Sequence, residues 1–418
     1  MERSLLKQSI DEWHDLLEKS RNSLFDRQLL VPIPTLDFAV ALTGIRRCGK
    51  THIAFQMSKD IPISAILYYN FEDPLFYSDN KIENLDLLLS VAQEFRSEKI
   101  SLLILDEIHV VDGWERWLRK LIDQKRYRII VTGSSAKLLS SELATSLTGR
   151  AIEYRVWPLS LKEVIRFKGI KSNSSSELNS LLRETLEWGS LPEVVKLSID
   201  NKKKLLRQYL NDILLKDVIS RNQIRNKRAL DQIITYYLTN ISSLHSYNSI
   251  SKAYAFDTVT ALEYTRMLTE AFLVFEVFRY HSNLKVQSRD SKKIYIADLG
   301  FRKVGARSIN DDTEKLLENF IYIELLRREK EVCYFKGKQE VDFVIVDNYK
   351  PIEVIQVCSS NLSEKKTWER EINATLEALE YFKLKSGLIL SYDREETLEI
   401  ENKIINIRPT YKWLCDIN

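Results

Sequence analysis

Gly44-Ile45-Arg46-Arg47-Cys48-Gly49-Lys50-Thr51 has the spacing G-x-x-x-x-G-K-T, and its flanks decide how it reads. Before it, Phe38-Ala39-Val40-Ala41-Leu42 is a short apolar run of strand type. After it, His52-Ile53-Ala54-Phe55-Gln56-Met57 suits a helix. A glycine-rich turn from strand to helix aims successive backbone N–H groups at one point, beside the positive end of the new helix. Such a point attracts phosphate. An ordinary glycine-punctuated turn is the competing reading, and the strand-then-helix order favours the phosphate loop. The pattern implies a nucleoside triphosphate with Mg²⁺, held by Gly44, Ile45, Arg46, Arg47, Cys48, Gly49, Lys50, Thr51 and His52. Lys50 is placed to reach the β- and γ-phosphates and the Thr51 hydroxyl to ligate the metal.

Outward from the loop, short apolar runs alternate with helical stretches. Strands are expected at 38–42, 65–69, 101–105, 128–132 and 152–156. That alternation predicts a parallel sheet covered on both faces. Leu102-Leu103-Ile104-Leu105-Asp106-Glu107 reads as a buried strand ending in two carboxylates, at the end where α/β sheets bind ligands. Asp106 is the candidate metal ligand and Glu107 the candidate to polarise the attacking water. The next strand ends in Thr132-Gly133-Ser134-Ser135, where Ser134 can sense a γ-phosphate. Leu147-Thr148-Gly149-Arg150 then supplies Arg150, either a plain surface arginine or one that stabilises transition-state charge.

The chain has 418 residues, enough for several cores. Its 44% hydrophobic and 29% charged content is that of an ordinary globular protein, and 11 Gly and 8 Pro predict few long loops. No apolar run approaches the roughly 20 residues of a membrane span. The N-terminus lacks a signal-peptide core, and four scattered cysteines make neither a zinc site nor a disulfide framework, so a cytoplasmic location is expected. Net charge is only +3. Between Asn201 and Arg228, however, nine Lys/Arg face two Asp, a net of +7. This run is either a solvated helix face or a contact for a DNA backbone, through Lys202, Lys203, Lys204, Arg207, Arg221, Arg225, Lys227 and Arg228.

The motif order resembles the AAA-superfamily ATPases. Leu105-Asp106-Glu107-Ile108-His109, Trp114, Thr132-Gly133-Ser134-Ser135, Leu147-Thr148-Gly149-Arg150 and Trp157-Pro158-Leu159-Ser160 are similar to a widespread prokaryotic family of that kind. Trp188-Gly189-Ser190-Leu191-Pro192-Glu193, Tyr295-Ile296-Ala297-Asp298-Leu299-Gly300, Leu317-Glu318-Asn319 and Glu340-Val341-Asp342-Phe343 resemble its later signatures. Its members join the ATPase to an uncharacterised C-terminal domain. The resemblance makes Ser134 a sensor and Arg150 a finger. It makes Gly189 to Pro192 a lid turn near adenine, with an ordinary interhelical turn as the alternative.

Residues 230–290 carry apolar spacing for three helices, with Asp257 as a cap, followed by a hairpin of Leu273-Val274-Phe275-Glu276-Val277 with Lys293-Ile294-Tyr295-Ile296. This layout resembles a winged helix. Its third helix, 258–267, has one basic residue, Arg266, which is little for base readout. Further on, Glu318 on a helix, Asp342 on a strand and Gln356 on the next resemble the restriction-endonuclease-like core, whose acids bind Mg²⁺. Cys358 stands where that pattern has lysine, with Lys365 or Lys366 as substitutes on the next helix, so a non-cleaving binding module is expected.

The expected fold is α/β. Residues 1–36 are a helix and connector, 37–158 the P-loop parallel-sheet ATPase core, and 159–229 a helical lid with the basic helix. Residues 230–292 are winged-helix-like and 293–418 nuclease-like. The expected function is a nucleotide-driven switch or motor acting on DNA. The alternatives are an ATP-gated DNA nuclease and a switch working through protein partners. A homo-oligomer follows if Arg150 works in a neighbouring subunit.

Overall fold

The computed structural model describes all residues except 30, 97, 135–146, 148, 172–173, 288–289, 308–311, 359–364 and 417–418, and the side chains of 284 and 365–367. Ser135, Thr148 and the side chains of Lys365 and Lys366 therefore lie outside the described residues. The chain divides into two compact units. One comprises Met1–Val156 with Glu270–Phe272, the other Trp157–Thr269 with Leu273–Asn418.

In the first unit, β1 (Ala39–Thr43), β2 (Ile66–Asn70), β3 (Leu102–Asp106), β4 (Arg128–Gly133) and β5 (Ala151–Arg155) form one sheet. Its order is β2-β3-β4-β1-β5 and every pairing is parallel. The five strands lie within one residue of the positions expected from apolar runs. β1 and β3 are buried at every position, as strands covered on both faces must be. Their cover includes Leu85, Leu88 and Val91 of the helix Glu83–Glu94 and Trp114, Trp117 and Leu118 of the helix Trp114–Asp123. Leu6 and Ile10 of the helix Arg3–Arg21 join the same core. Ser9 Oγ and Trp13 Nε1 each donate to Asp73 Oδ2 at 2.8 Å. The N-terminal helix is thus an integral layer of this unit, because its apolar stripe has a buried destination.

The second unit starts with helices at Leu161–Phe167, Ser175–Trp188 and Ile199–Asp212, the last running on as a π-helix over Ile213–Ile219. Helices Lys227–Thr239, Tyr247–Tyr254 and Thr258–Glu270 accompany β6 (Ser243–His245), β7 (Val274–Val277) and β8 (Lys292–Ile296). These strands form an antiparallel sheet in the order β6-β8-β7. The expected hairpin of β7 and β8 is present; β6 was not foreseen, because three residues are too few to show a period. Asp257 caps as expected, its Oδ1 accepting from Thr260 N at 2.8 Å.

The C-terminal part follows a helix (Thr313–Arg327), an antiparallel meander of β9 (Glu331–Lys336), β10 (Glu340–Asp347) and β11 (Lys350–Cys358), and a helix (Lys365–Tyr381). Then β12 (Ser386–Ser391) pairs parallel to β11. β13 (Glu396–Ile400) and β14 (Lys403–Pro409) extend the sheet to six strands, β13-β14-β12-β11-β10-β9.

Candidate phosphate and metal site

The phosphate loop is built by backbone constraints at both ends. Gly44 has φ +139, and a Cβ there would meet the Val156 carbonyl oxygen at 2.2 Å, so only glycine fits. Gly49, φ 103, turns the chain into the helix Lys50–Met57. Between them Arg47 is left-handed at φ 72, a conformation costly for a side-chain-bearing residue and common at ligand sites. Lys50 is buried, and its Nζ donates to the Gly44 and Ile45 carbonyls at 3.0 and 3.3 Å. The ammonium thus lies folded over its own loop, 3.8 Å from Glu107 Oε1. Arg46 reaches Glu72 at 2.9 Å. Cys48 takes part through its backbone, since its thiol is fully buried and burial raises its pKa.

The loop rests on residues not singled out from the sequence. Buried Arg27 donates from Nη1 to the Cys48 carbonyl at 2.9 Å, and its backbone N–H to Gln56 Oε1 at 2.9 Å. His52 Nε2 lies 2.6 Å from the Phe25 carbonyl. Phe25 to Arg27 therefore brace the first turn of the phosphate-loop helix. A lone arginine in a polar connector gives no pattern that would disclose this.

Asp106 and Glu107 end β3 beside the loop. Asp106 Oδ2 accepts the Thr51 hydroxyl at 2.8 Å and the Tyr68 hydroxyl at 3.2 Å, and its Oδ1 accepts the Thr132 hydroxyl. Burial pushes the Asp106 carboxyl above its usual pKa, the Glu107 charge adds to that, and the Thr132, Thr51 and Lys50 contacts oppose it. Glu107 sits in the left-handed region at φ 52, its N–H donating to Thr132 Oγ1 at 3.2 Å. Its Oε2 accepts from both the Ser134 N–H and the Ser134 hydroxyl at 3.3 Å, with His109 Nδ1 3.4 Å away. Thr51, Lys50, Asp106, Glu107 and Ser134 are thus brought together. Thr132 and Tyr68 complete the group; neighbouring parallel strands in register put them there, as Tyr69 and Asn70 pair with Leu105 and Asp106. A hydroxyl and a carboxylate at contact distance are hard oxygen donors of the kind Mg²⁺ takes.

A family model described as an AAA domain matches residues 36–165, and one described as a domain of unknown function (DUF8612) matches 179–310. The uncharacterised protein MJ1544 of Methanocaldococcus jannaschii is 33% identical over 395 residues, 88% of this chain and 86% of that one. The chain belongs to the AAA superfamily of ATPases, in one family with that protein. An uncharacterised Haemophilus influenzae protein is 30% identical over 328 residues, 76% of this chain and 82% of its own. Among solved structures, C. elegans PCH-2 is 19% identical, covering 43% of this chain and 46% of that one, at a TM-score of 0.20.

In this AAA domain the structure does not bring Arg150 to the phosphate loop of its own chain. The Arg150 carbonyl accepts from Ala39 N, at the start of β1, and its Nε donates to Asp123 Oδ1 at 2.8 Å. The loop follows the far end of β1, five residues on, which at ~3.3 Å per residue is roughly 16 Å away. An arginine that ends a loop on the strand-entry side cannot also serve the strand-exit side.

The basic run does not act as one face. Lys202 is 4% exposed and pairs with Glu184 at 2.6 Å, and Arg221 pairs with buried Asp217 at 2.7 Å. Lys202 is thus held inside the fold by an acid of the neighbouring helix Ser175–Trp188, and Arg221 is half-buried against an acid one turn earlier, in the helical run that precedes it. Lys203, Lys204, Arg207, Arg225, Lys227 and Arg228 are exposed. The turn at Gly189 is packed rather than open: a Cβ there would lie 1.8 Å from Asp298 Oδ1, and Ser190 N donates to Asp298 Oδ2 at 2.7 Å. Two signatures separated by more than a hundred residues therefore lock each other.

Glu318, Asp342 and Gln356 do converge. Asp342 N donates to Gln356 Oε1 at 3.0 Å, and Val357 N to Asp342 Oδ2 at 3.1 Å. The residue facing them is Lys293 of β8, which the sequence pattern did not single out. Its Nζ lies 2.9 Å from Glu318 Oε1, Glu340 Oε1 and Asp342 Oδ1. Cys358 instead approaches Glu314 and Glu371, their ligand atoms within 4.8 Å of one another.

Proposed function

We propose that the first unit binds Mg·ATP and hydrolyses it, and that turnover works as a switch acting on DNA. The observation that carries the reading is the 2.8 Å contact of Thr51 with Asp106, beside buried Lys50 and Glu107. Thr51 and Asp106 would hold Mg²⁺, which neutralises phosphate charge and fixes the triphosphate. On ATP binding, Lys50 exchanges its two carbonyl acceptors for phosphate oxygens. Glu107 orients and polarises the attacking water, while Ser134 fixes the carboxylate through two donors. Arg150, remote from its own loop, acts on the site of a neighbouring subunit, which makes the working form a homo-oligomer.

The test of hydrolysis is release of phosphate from ATP by the purified chain, with Lys50→Ala and Glu107→Gln beside it. A wild-type chain that neither binds nor hydrolyses ATP in Mg²⁺ ends the proposal. For the trans role, inactive Arg150→Ala chains mixed with inactive Glu107→Gln chains should recover part of the activity. No recovery in mixed oligomers counts against a shared site.

Action on DNA is supported by six exposed basic residues, Lys203, Lys204, Arg207, Arg225, Lys227 and Arg228. Each phosphate contact adds about 0.9 to the slope of log affinity against log salt for duplex DNA. Reversing Lys203, Lys204 and Arg207 should lower that slope by about 3. A second reading, action through a protein partner, is favoured by the helix Thr258–Glu270. It exposes Val259 at 61% and Leu262 at 45%, with Arg266 its one basic residue. DNA affinity indifferent to salt and to those reversals decides for the partner.

A further inference from the structure

The C-terminal part has the helix, three-stranded meander, helix and parallel fourth strand that a restriction-endonuclease-like centre requires, with Glu318, Asp342 and Gln356 in the expected places. Such a centre needs a divalent cation on its carboxylates. The residues present do not fit one.

Lys293 and Tyr295 are two apart on β8 and so project from the same face of the strand. Both reach Glu318: the Tyr295 hydroxyl donates to Oε1 at 2.6 Å and Lys293 Nζ to the same oxygen at 2.9 Å. Lys293 Nζ also meets Asp342 Oδ1 and Glu340 Oε1 at 2.9 Å, and its side chain is 2% exposed. An ammonium has three N–H donors; here two go to Glu318 and Asp342, and the Glu340 carboxylate closes the remaining side as an ion pair. Nothing remains to stabilise a hydroxide or a phosphate, which is what a nuclease lysine must do. The second Asp342 oxygen accepts Val357 N. Gln356 is spent as well, its Oε1 on Asp342 N and its Nε2 on Glu371 Oε2 at 2.6 Å. A dication would need carboxylate oxygens at about 2.1–2.5 Å. It would compete for the oxygens the ammonium already holds, against the repulsion of a like charge in a buried site.

We infer that the Lys293 ammonium takes the place of the divalent cation, making Glu318, Glu340, Asp342 and Lys293 a closed ionic centre that binds no metal and cleaves no DNA. The inference is independent of the nucleotide reading, because all its residues lie in the second unit.

The test uses the full chain without nucleotide, in an Asp106→Asn background that removes the carboxylate of the first unit's metal site. Mn²⁺ binding is followed by the loss of free-ion paramagnetic resonance signal, and only the part lost on Asp342→Asn is counted. The background protein should show no Asp342-dependent Mn²⁺. Adding Lys293→Met should create one such ion per chain, abolished by Asp342→Asn. An Asp342-dependent ion in the background protein overturns the inference, and so does a folded Lys293→Met chain that gains none. Should Lys293→Met fail to fold, the neutral variant Lys293→Met, Glu318→Gln, Glu340→Gln, Asp342→Asn should fold, since the unpaired charges are then gone. The comparison within the background protein needs no change at Lys293. Incubation of the wild-type chain with Mn²⁺, ATP and duplex DNA should leave the DNA intact; cleavage lost in Asp342→Ala overturns the inference independently.

Discussion

Both units set a buried lysine among acids, and they use the same groups in opposite ways. In the first unit the Lys50 ammonium is 3.8 Å from Glu107 and spends its hydrogen bonds on two carbonyls of its own loop. Neutral acceptors are readily exchanged for charged phosphate oxygens. In the second unit Lys293 lies 2.9 Å from three carboxylates, which leaves it nothing to exchange. Another buried acid, Asp298, forms no ion pair among the described residues. It accepts the Ser190 and Gly300 N–H groups, and burial raises its pKa to about 6 against the opposing Ser190, Gly300 and Leu191 N–H groups. The difference teaches that residue type sets what a site is able to do, while the acceptors around the lysine set whether it remains available.

The contrast is broken most directly at Glu107. If Glu107 works on water while the lysine is free to meet phosphate, Glu107→Gln should lower ATP turnover by about 10²–10⁴-fold. Nucleotide binding, followed by the rise in thermal midpoint with added ATP, should persist; unchanged turnover removes Glu107 from its role. The closed centre predicts a different outcome, a loss of stability. Lys293→Met leaves buried carboxylates unpaired and should cost roughly 4 kcal/mol in urea unfolding. A cost near zero would mean that the ammonium does not hold the cluster together. Next, Gly44→Ala should cost roughly 3 kcal/mol, from a forbidden φ and an overlap with the Val156 carbonyl. Equal thermal midpoints for the variant and the wild type would contradict the loop geometry.

The smallest effect belongs to Asp298. Its folded pKa, about 6, lies above the ordinary 3.8, so between these values the native chain holds a proton that the unfolded chain has released. Stability from this group is therefore greatest at low pH and falls as pH rises from 3.8 to about 6, by no more than about 3 kcal/mol over the whole window. Thermal midpoints measured across that window should decline less steeply in Asp298→Asn. An identical decline would assign it to other carboxylates.

The phosphate loop was legible because its chemistry is local: two glycines, a lysine and a threonine at fixed spacing after an apolar strand. The five strands were legible for a related reason, since strands buried on both faces leave continuous apolar runs. Asp106, Glu107 and Ser134 followed, because parallel strands must end on one edge of the sheet. Tyr68 carried no signal of its own, and Thr132 only its place in the strand-end motif; a hydroxyl at a strand end is common, and only register against β3 makes it a partner of Asp106. Arg27 was hidden likewise in a connector without period or motif. The basic run misled in part. Counting charges along a helix does not tell which face turns inward, and Lys202 and Arg221 turn toward Glu184 and Asp217.

What the sequence determined alone was the set of groups that can act, because a motif's spacing fixes how backbone amides, a lysine and a hydroxyl meet a phosphate. Tertiary structure decided which lysine answers which acids. Cys358 stands where the nuclease pattern has its lysine, and the ammonium comes from β8, forty-nine residues before Asp342. Sheet pairing and helix packing bring such distant positions within 3 Å, and no periodicity in the chain encodes that distance.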